Sequence, residues 1–388
     1  MKILQVIPVF SGPFGGPVSV VRSISKELAK RHEVSIYTTT ALDLKHDFPQ
    51  KEEEVNGYRV TYFPRALKPL CHSNLFGQFN FSLSMMKAVK ETLRTFDIIH
   101  LHSFQQFPDI MVNHYSMKYD IPYVLQTHGS MPTTGKRLRK NLYGALFGHK
   151  VLMNASRVIA LSQTEVRQLR EVGVFHDKIN VIPNAIDLSE YSLPRKGLFR
   201  DKFSINNDEK IILYVGRIHE SKGLSLLVNA FKLVANDLQK VRLVLIGPDD
   251  GYLSSFAKLI SNLGLTDKVL ITGFLGENDK ISALVDSDVF ATPYFSGFPV
   301  TFLEACIAGC PIVTISNELE WIHGNVGYIV QDSPAAFARA LSLVLQDDIV
   351  NKRFRDNCQT TIRNFDISRI ACQLESTYEL AYEKIACG

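Results

Sequence analysis

Short apolar runs alternate with helical patterns along the whole chain, as parallel strands joined by crossover helices do. In the first half the runs Lys2–Ile7, Val34–Thr38, Arg59–Phe63, Asp97–His102, Tyr123–Thr127 and Arg157–Leu161 read as strands. Several are apolar almost throughout, which is the habit of strands covered on both faces. Between the first two, Val20, Ile24 and Leu28 recur at helical spacing and predict a helix from about Val18 to Lys30. A second series follows the polar stretch Ser192-Leu193-Pro194-Arg195-Lys196-Gly197, which reads as a linker. Its strands are Lys210–Val215, Arg242–Ile246, Val269–Thr272, Val289–Thr292 and Pro311–Thr314. The pattern predicts an α/β protein with two doubly wound domains in tandem, residues 1–192 and 198–365. Ligands of such sheets bind at the carboxyl ends of the strands, so a cleft between the domains is expected. Residues 366–388 carry a last helical pattern, with Ile370, Leu374, Tyr378, Ala381 and Ile385 on one face and no strand after it. It either caps the second domain or returns to pack on the first.

Composition sharpens this picture only in places. A chain of 388 residues that is 46% hydrophobic and 21% charged is an ordinary globular protein, too long for one core. The net charge of +4 is uneven: residues 1–190 hold 23 Lys+Arg against 16 Asp+Glu, leaving 20 against 23 for the rest. The excess is visible at Lys136, Arg137, Arg139 and Lys140, which precede an apolar and aromatic stretch. Two readings fit, a segment lying on an anionic membrane surface or a solvated loop entering a core helix. The N-terminal apolar run is too short for a signal peptide or a span, and no long apolar stretch follows elsewhere. Six scattered cysteines without a paired spacing read as reduced thiols of a cytosolic protein; Cys306 and Cys310 suit small core positions better than a metal site.

Four constellations carry chemistry. After the first strand, Gly12-Pro13-Phe14-Gly15-Gly16-Pro17 opens a helix, where exposed N–H groups favour an anion such as phosphate. It is no dinucleotide fingerprint, and glycines there also serve tight turns. At the matching place of the second domain, Gly216-Arg217 and Lys222-Gly223 put two cations beside a strand end, suited to a diphosphate or simply to a surface turn. Third, Gly297-Phe298-Pro299-Val300 leads to Glu304 in the first turns of an apolar helix, where a carboxylate is favoured by the helix dipole and can accept from vicinal hydroxyls, or can merely be solvated. Fourth, His100 and His102 end one strand and His128 follows the next; His100, and with less force His102, reads as structural, and His128 beside Gly129 as functional.

In this order the motifs resemble the GT-B glycosyltransferases of family 4, retaining enzymes that use nucleotide-sugar donors. The resemblance spans nearly the whole chain: the Gly-Gly loop, D-I-I-H-L-H, T-H-G, N-V-I-P-N, V-G-R-I-x-x-x-K-G, L-V-L-I-G, T-G-F and G-F-P-V-T-F-L-E-A. It implies two Rossmann-like domains and a hexosyltransferase that moves sugar from a UDP- or GDP-sugar to a glycan or lipid-linked acceptor in polysaccharide or glycoconjugate biosynthesis. It implies further that Gly15 and Gly16 lie near diphosphate and acceptor, that Arg217 and Lys222 neutralise the leaving diphosphate, and that Glu304 holds the ribose. The backbone of Gly273, Phe274 and Leu275 would meet the base. Backbone N–H groups of Phe298 and Val300, beside Gly297, would face sugar and phosphate, and His128 a sugar hydroxyl. His102 and Asn184 would stand on the acceptor side. No metal or other cofactor is implied, nor a nucleic acid partner, and the expected place is the cytoplasm, at the inner face of the membrane if the basic segment docks.

One position departs. The family places a first glutamate ahead of Glu304's equivalent with seven residues between them, and here position 296 is serine, by replacement or by a one-residue deletion. Ala185 likewise replaces a usual glycine. The lost carboxylate motivates one alternative, a non-catalytic nucleotide- or glycan-binding homologue; a sugar-nucleotide epimerase is a third reading, disfavoured because no carboxylate and histidine set suits elimination chemistry.

Overall fold

The computed structural model describes residues 1–11, 16–41, 46–47, 51–66, 80–130, 147–295, 297–315 and 318–386, with side chains to 383. The chain divides into two compact units, Met1–Asp187 together with Asp366–Gly388, and Leu188–Phe365. The first holds the strands β1 (Lys2–Val9), β2 (Glu33–Thr39), β3 (Glu52–Val55), β4 (Tyr58–Phe63), β5 (Ile98–Leu101), β6 (Tyr123–Gln126), β7 (Arg157–Ala160) and β8 (Ile179–Val181). They form one sheet in the order β3-β4-β2-β1-β5-β6-β7-β8, parallel except for β3 against β4. The second holds β9 (Lys210–Val215), β10 (Val241–Ile246), β11 (Val269–Gly273), β12 (Val289–Thr292), β13 (Ile312–Thr314) and β14 (Gly327–Ile329), ordered β11-β10-β9-β12-β13-β14 and parallel throughout. Strand order reverses beside β1 in one sheet and beside β9 in the other, so each unit is a Rossmann-like, doubly wound sheet.

The apolar runs become strands because they are covered on both faces: β5, β6 and β12 are buried at every residue. Helix Gly16–Leu28 begins two residues before the predicted start and buries Val20, Ile24 and Leu28. Three strands are not anticipated by the pattern. β3 is Glu52-Glu53-Glu54-Val55, an acidic edge strand with little strand propensity. Its pairing comes from the turn: Asn56 and Gly57 both adopt positive φ, the conformation of a two-residue hairpin. β8 and β14 have three residues each, too few for a visible period.

The last helix, Ile367–Ala386, belongs to the first unit. Glu375 receives both Arg31 Nε and Nη2, at 2.8 and 3.0 Å, and also pairs with His32 Nε2 at 2.8 Å. Ile367 N donates to Ile186 O where the chain returns.

Candidate active site

In the second unit the reversal of strand order lies between β9 and β12, and the loops leaving these two strands carry the chemistry. β9 leads into Gly216-Arg217, and β10 beside it leads into Gly247. A Cβ on Gly247, whose φ is +149°, would stand 1.9 Å from Gly216 O, so the two strand ends meet only because this residue is glycine. Arg217 pairs with Asp250 from the loop after β10 and remains largely exposed. Lys222 closes a short 3-10 turn before helix Leu224–Asp237. Burial holds its pKa below the ordinary lysine value, and Arg217 adds to the effect. Arg217 is thus paired and Lys222 stands close enough to feel its charge, two cations that a diphosphate complements. Gly223 is needed as well, since a Cβ there would lie 2.5 Å from the Tyr294 ring that follows β12.

Glu304 is only 4% exposed, which removes the solvated reading. It stands in helix Val300–Ile307 beyond the first turn, so the helix end is not its main partner. Lys280 from helix Glu277–Asp286 is: its Nζ lies 2.7 Å from Glu304 Oε1 and 3.1 Å from Glu277 Oε1. Tyr191 OH donates to the same Oε1 at 3.4 Å. Glu304 Oε2 is buried with no protein partner. Burial raises the Glu304 pKa above the ordinary carboxylate value, against the pull of Lys280. The same burial opposes charge on Lys280, but Glu304 and Glu277 together overcome it and its pKa is raised. Lys280 is therefore held in its charged form, with one carboxylate oxygen of Glu304 accepting from it and the other buried without a protein partner. Nothing local in the sequence marks Lys280, whose partner lies 24 positions on.

Around this pair, Gly273 ends β11 at φ +73° and Phe274 beside it is 76% exposed, with Leu275 half-buried. Gly297 also has positive φ; Phe298 is buried and its ring stacks on Trp321, centroids 6.1 Å apart. Val300 opens the helix that carries Glu304. Gly15, Ser296, Lys136, Arg137, Arg139 and Lys140 lie outside the described residues.

In the first unit the reversal lies between β1 and β5. Gly16 begins the helix after β1. His102 follows β5, its Nδ1 3.0 Å from His128 Nε2 and its Nε2 hydrogen-bonded to Gln5 Oε1 of β1. His100 is wholly buried and takes Tyr378 OH at Nδ1, 2.7 Å away. The structural reading of His100 and the functional reading of His128 therefore meet in one cluster through His102. Burial lowers the pKa of His128 to about 4 and of His100 to about 3, and His102 is displaced well below its ordinary value. His128 is partly exposed as a residue, yet its Nδ1 is covered and has no protein partner. It sits at φ +49° in a turn pinned by Glu165, which accepts from Thr127 Oγ1, from Gly129 N at 3.1 Å and from Leu161 N at 2.7 Å. Asn184 is buried after β8. Among the described residues no group of three His, Cys, Asp or Glu could hold a metal ion; Cys306, Cys310 and Cys358 are buried free thiols.

Two family profiles match, Glycosyltransferase Family 4 over residues 14–190 and Glycosyl transferases group 1 over residues 196–361. An uncharacterized glycosyltransferase of Methanocaldococcus jannaschii is 25% identical over 99% of both chains. The N-acetyl-alpha-D-glucosaminyl L-malate synthase of Bacillus anthracis is 24% identical over 94% of this chain and 93% of its own. Among solved structures, Anabaena HepE in complex with UDP and glucose superposes with a TM-score of 0.77 at 20% identity, covering 98% and 99% of the two chains. Sucrose-phosphate synthase of Thermosynechococcus elongatus gives 0.80 at 20% over the whole of both. Two Rossmann-like units with these neighbours define a GT-B fold. The chain belongs to the glycosyltransferases of family 4, group 1, and is a transferase enzyme.

Proposed function

We propose that the protein transfers a hexose, with retention, from a UDP- or GDP-sugar to a glycan or lipid-linked acceptor. The observation that carries this is Glu304, a carboxylate buried in the loop-and-helix unit after β12, with Oε1 saturated by Lys280 and Oε2 left to accept. Ribose hydroxyls are the natural donors for such an oxygen. Arg217 and Lys222 bind the diphosphate and stabilise the charge that grows on it as the anomeric C–O bond breaks. The acceptor oxygen bonds to the anomeric carbon on the same face, and its proton passes to a leaving phosphate oxygen. Phe274, Gly273 and Leu275 line the base, and His128, neutral at ordinary pH, meets a sugar hydroxyl. UDP and glucose in the Anabaena neighbour support this class of donor.

Turnover of a panel of UDP- and GDP-sugars by the wild type and by Arg217→Ala, Lys222→Ala and Glu304→Ala tests it. Loss of turnover in all three supports the reading, and unchanged turnover in all three overturns it. Because the sugar-facing glutamate of the family is absent here, by replacement at Ser296 or by deletion, Ser296→Glu or a glutamate inserted before Gly297 should shift donor-sugar preference. No helix among the described residues is long and apolar enough to cross a membrane. A cytoplasmic enzyme held at the inner membrane face through Lys136, Arg137, Arg139 and Lys140 accords with a lipid-linked acceptor. Sedimentation with anionic vesicles that falls with salt is expected, and binding indifferent to salt refutes that attachment.

A further inference from the structure

The buried polar chain behind His128 has no role in the transfer as derived so far. Gln5, His100, His102 and Tyr378 are each at most 3% exposed, and they come from β1, β5 and the final helix. Groups of this kind are expensive to bury unless each hydrogen has an acceptor, so the chain has a direction that can be read off. Gln5 Nε2 donates to Tyr378 OH at 3.4 Å, which frees the phenol hydrogen for His100 Nδ1 at 2.7 Å. His100 Nε2 then keeps the ring hydrogen, buried and without a hydrogen-bond partner, and Gln126 only raises the proton affinity of the ring against the burial. With Nε2 facing Tyr378, Gln5 presents Oε1 to His102, so His102 Nε2 carries the hydrogen. A neutral His102 then offers a bare Nδ1, and His128 Nε2–H, 3.0 Å away, must be the donor. The remaining atom is His128 Nδ1, covered and with no protein partner.

We infer that Gln5 is a positioning residue that sets the tautomer of His128 through His102, so that His128 meets the donor sugar as a hydrogen-bond acceptor at Nδ1. This rests on the proposed transfer from a nucleotide sugar. His128 thereby selects for a hydroxyl that can donate and against a substituent that can only accept. Tyr378 supports the arrangement from the far end by fixing the amide of Gln5.

Gln5→Glu tests it with almost no change of shape. A carboxylate beside His102 Nε2 makes that ring an imidazolium, donating from both nitrogens. His128 Nε2 must then accept, and its hydrogen moves to Nδ1. Nitrogen-15 NMR of the histidine-labelled full chain, with His128→Asn to assign the signal, reads the tautomer directly. Expected are protonation at Nε2 and none at Nδ1 of His128 in the wild type near neutral pH, and the reverse in Gln5→Glu. The kcat/KM for the sugar nucleotide should fall about tenfold, the ratio that about 1.4 kcal/mol, roughly one hydrogen bond, represents. The Kd of the bare nucleoside diphosphate should not change, as it would if the substitution merely loosened the fold. Wild-type His128 protonated at Nδ1, or a Gln5→Glu enzyme with unchanged tautomer and kcat/KM, overturns the inference. A wild type that turns over no sugar nucleotide overturns the functional reading instead, and the wild-type spectrum still decides the tautomer.

Discussion

Lowering the pH from 7 to 5 is expected to remove about 4 kcal/mol from the stability of the first unit through His100 and His128, and His102, displaced in the same direction, adds to the loss. Each is held neutral by burial, so its folded pKa lies below the unfolded value of about 6.5. Unfolded chains take up the proton as the pH passes downward through 6.5, whereas the folded protein does not until about 4 for His128 and about 3 for His100. The unfolded state binds more protons throughout this window, so stability falls with pH. A histidine still neutral at pH 5 contributes about 2 kcal/mol of this loss. Carboxylates with unfolded values near 4 bind few protons above pH 5, so the window isolates the histidines. The loss is comparable with the whole stability of a small domain, roughly 5–15 kcal/mol. Denaturation followed by hydrogen exchange reads the first unit. The only tryptophan, Trp321, reports the second, whose two histidines, His219 and His323, are not buried. Its transition should move far less. His100→Gln should reduce the pH 7-to-5 difference by about 2 kcal/mol, whatever it costs at pH 7. A loss below about 1 kcal/mol in the wild type refutes the reasoning, because the three rings would then have to be charged or hydrated in the folded state.

Three further outcomes follow from the second unit. Lys280→Met leaves Glu304 buried without its cation and should destabilise that unit by about 3 kcal/mol at pH 7, read by Trp321 fluorescence. The deficit should shrink as the pH falls, because burial raises the Glu304 pKa and a proton relieves the unpaired charge. Gly247→Ala drives a Cβ against Gly216 O and should cost at least about 3 kcal/mol, whereas Gly264→Ala, with nothing within 4 Å, should show only the roughly 1 kcal/mol of its positive φ. Asp250→Ala releases Arg217 from an exposed pair worth about 0.2–1 kcal/mol, so calorimetry at low salt should show a nucleoside diphosphate bound up to about fivefold more tightly.

The sheets were readable because parallel strands covered on both faces must be apolar, as β5, β6 and β12 are. β3 escaped because three glutamates hide a strand that owes its existence to pairing, although Asn56-Gly57 spelled the hairpin in plain view. The placement of Arg217 and Lys222 at a strand end followed from motif order, since strand ends at a reversal of order are fixed by topology. The electrostatic partners of Arg217 and Glu304 did not follow: Asp250 and Lys280 reach them across 33 and 24 positions, and no periodicity encodes such a meeting. His102 reads both as structural and as an acceptor-side residue, because burial and function look alike in a strand. Only the distances to Gln5 and His128 separate a packed ring from one that orients another.

The chain leaves the first unit at Asp187 and does not re-enter it until Asp366. During synthesis the second unit, being continuous, can close before the first is complete. The histidine sheet must meanwhile wait for Tyr378, roughly 190 residues behind, or about 10–40 s at ordinary translation rates of about 5–20 residues per second. The folding order is thus the reverse of the order of the genetic text. A premature stop that removes only the final helix would strike the half of the enzyme made earliest.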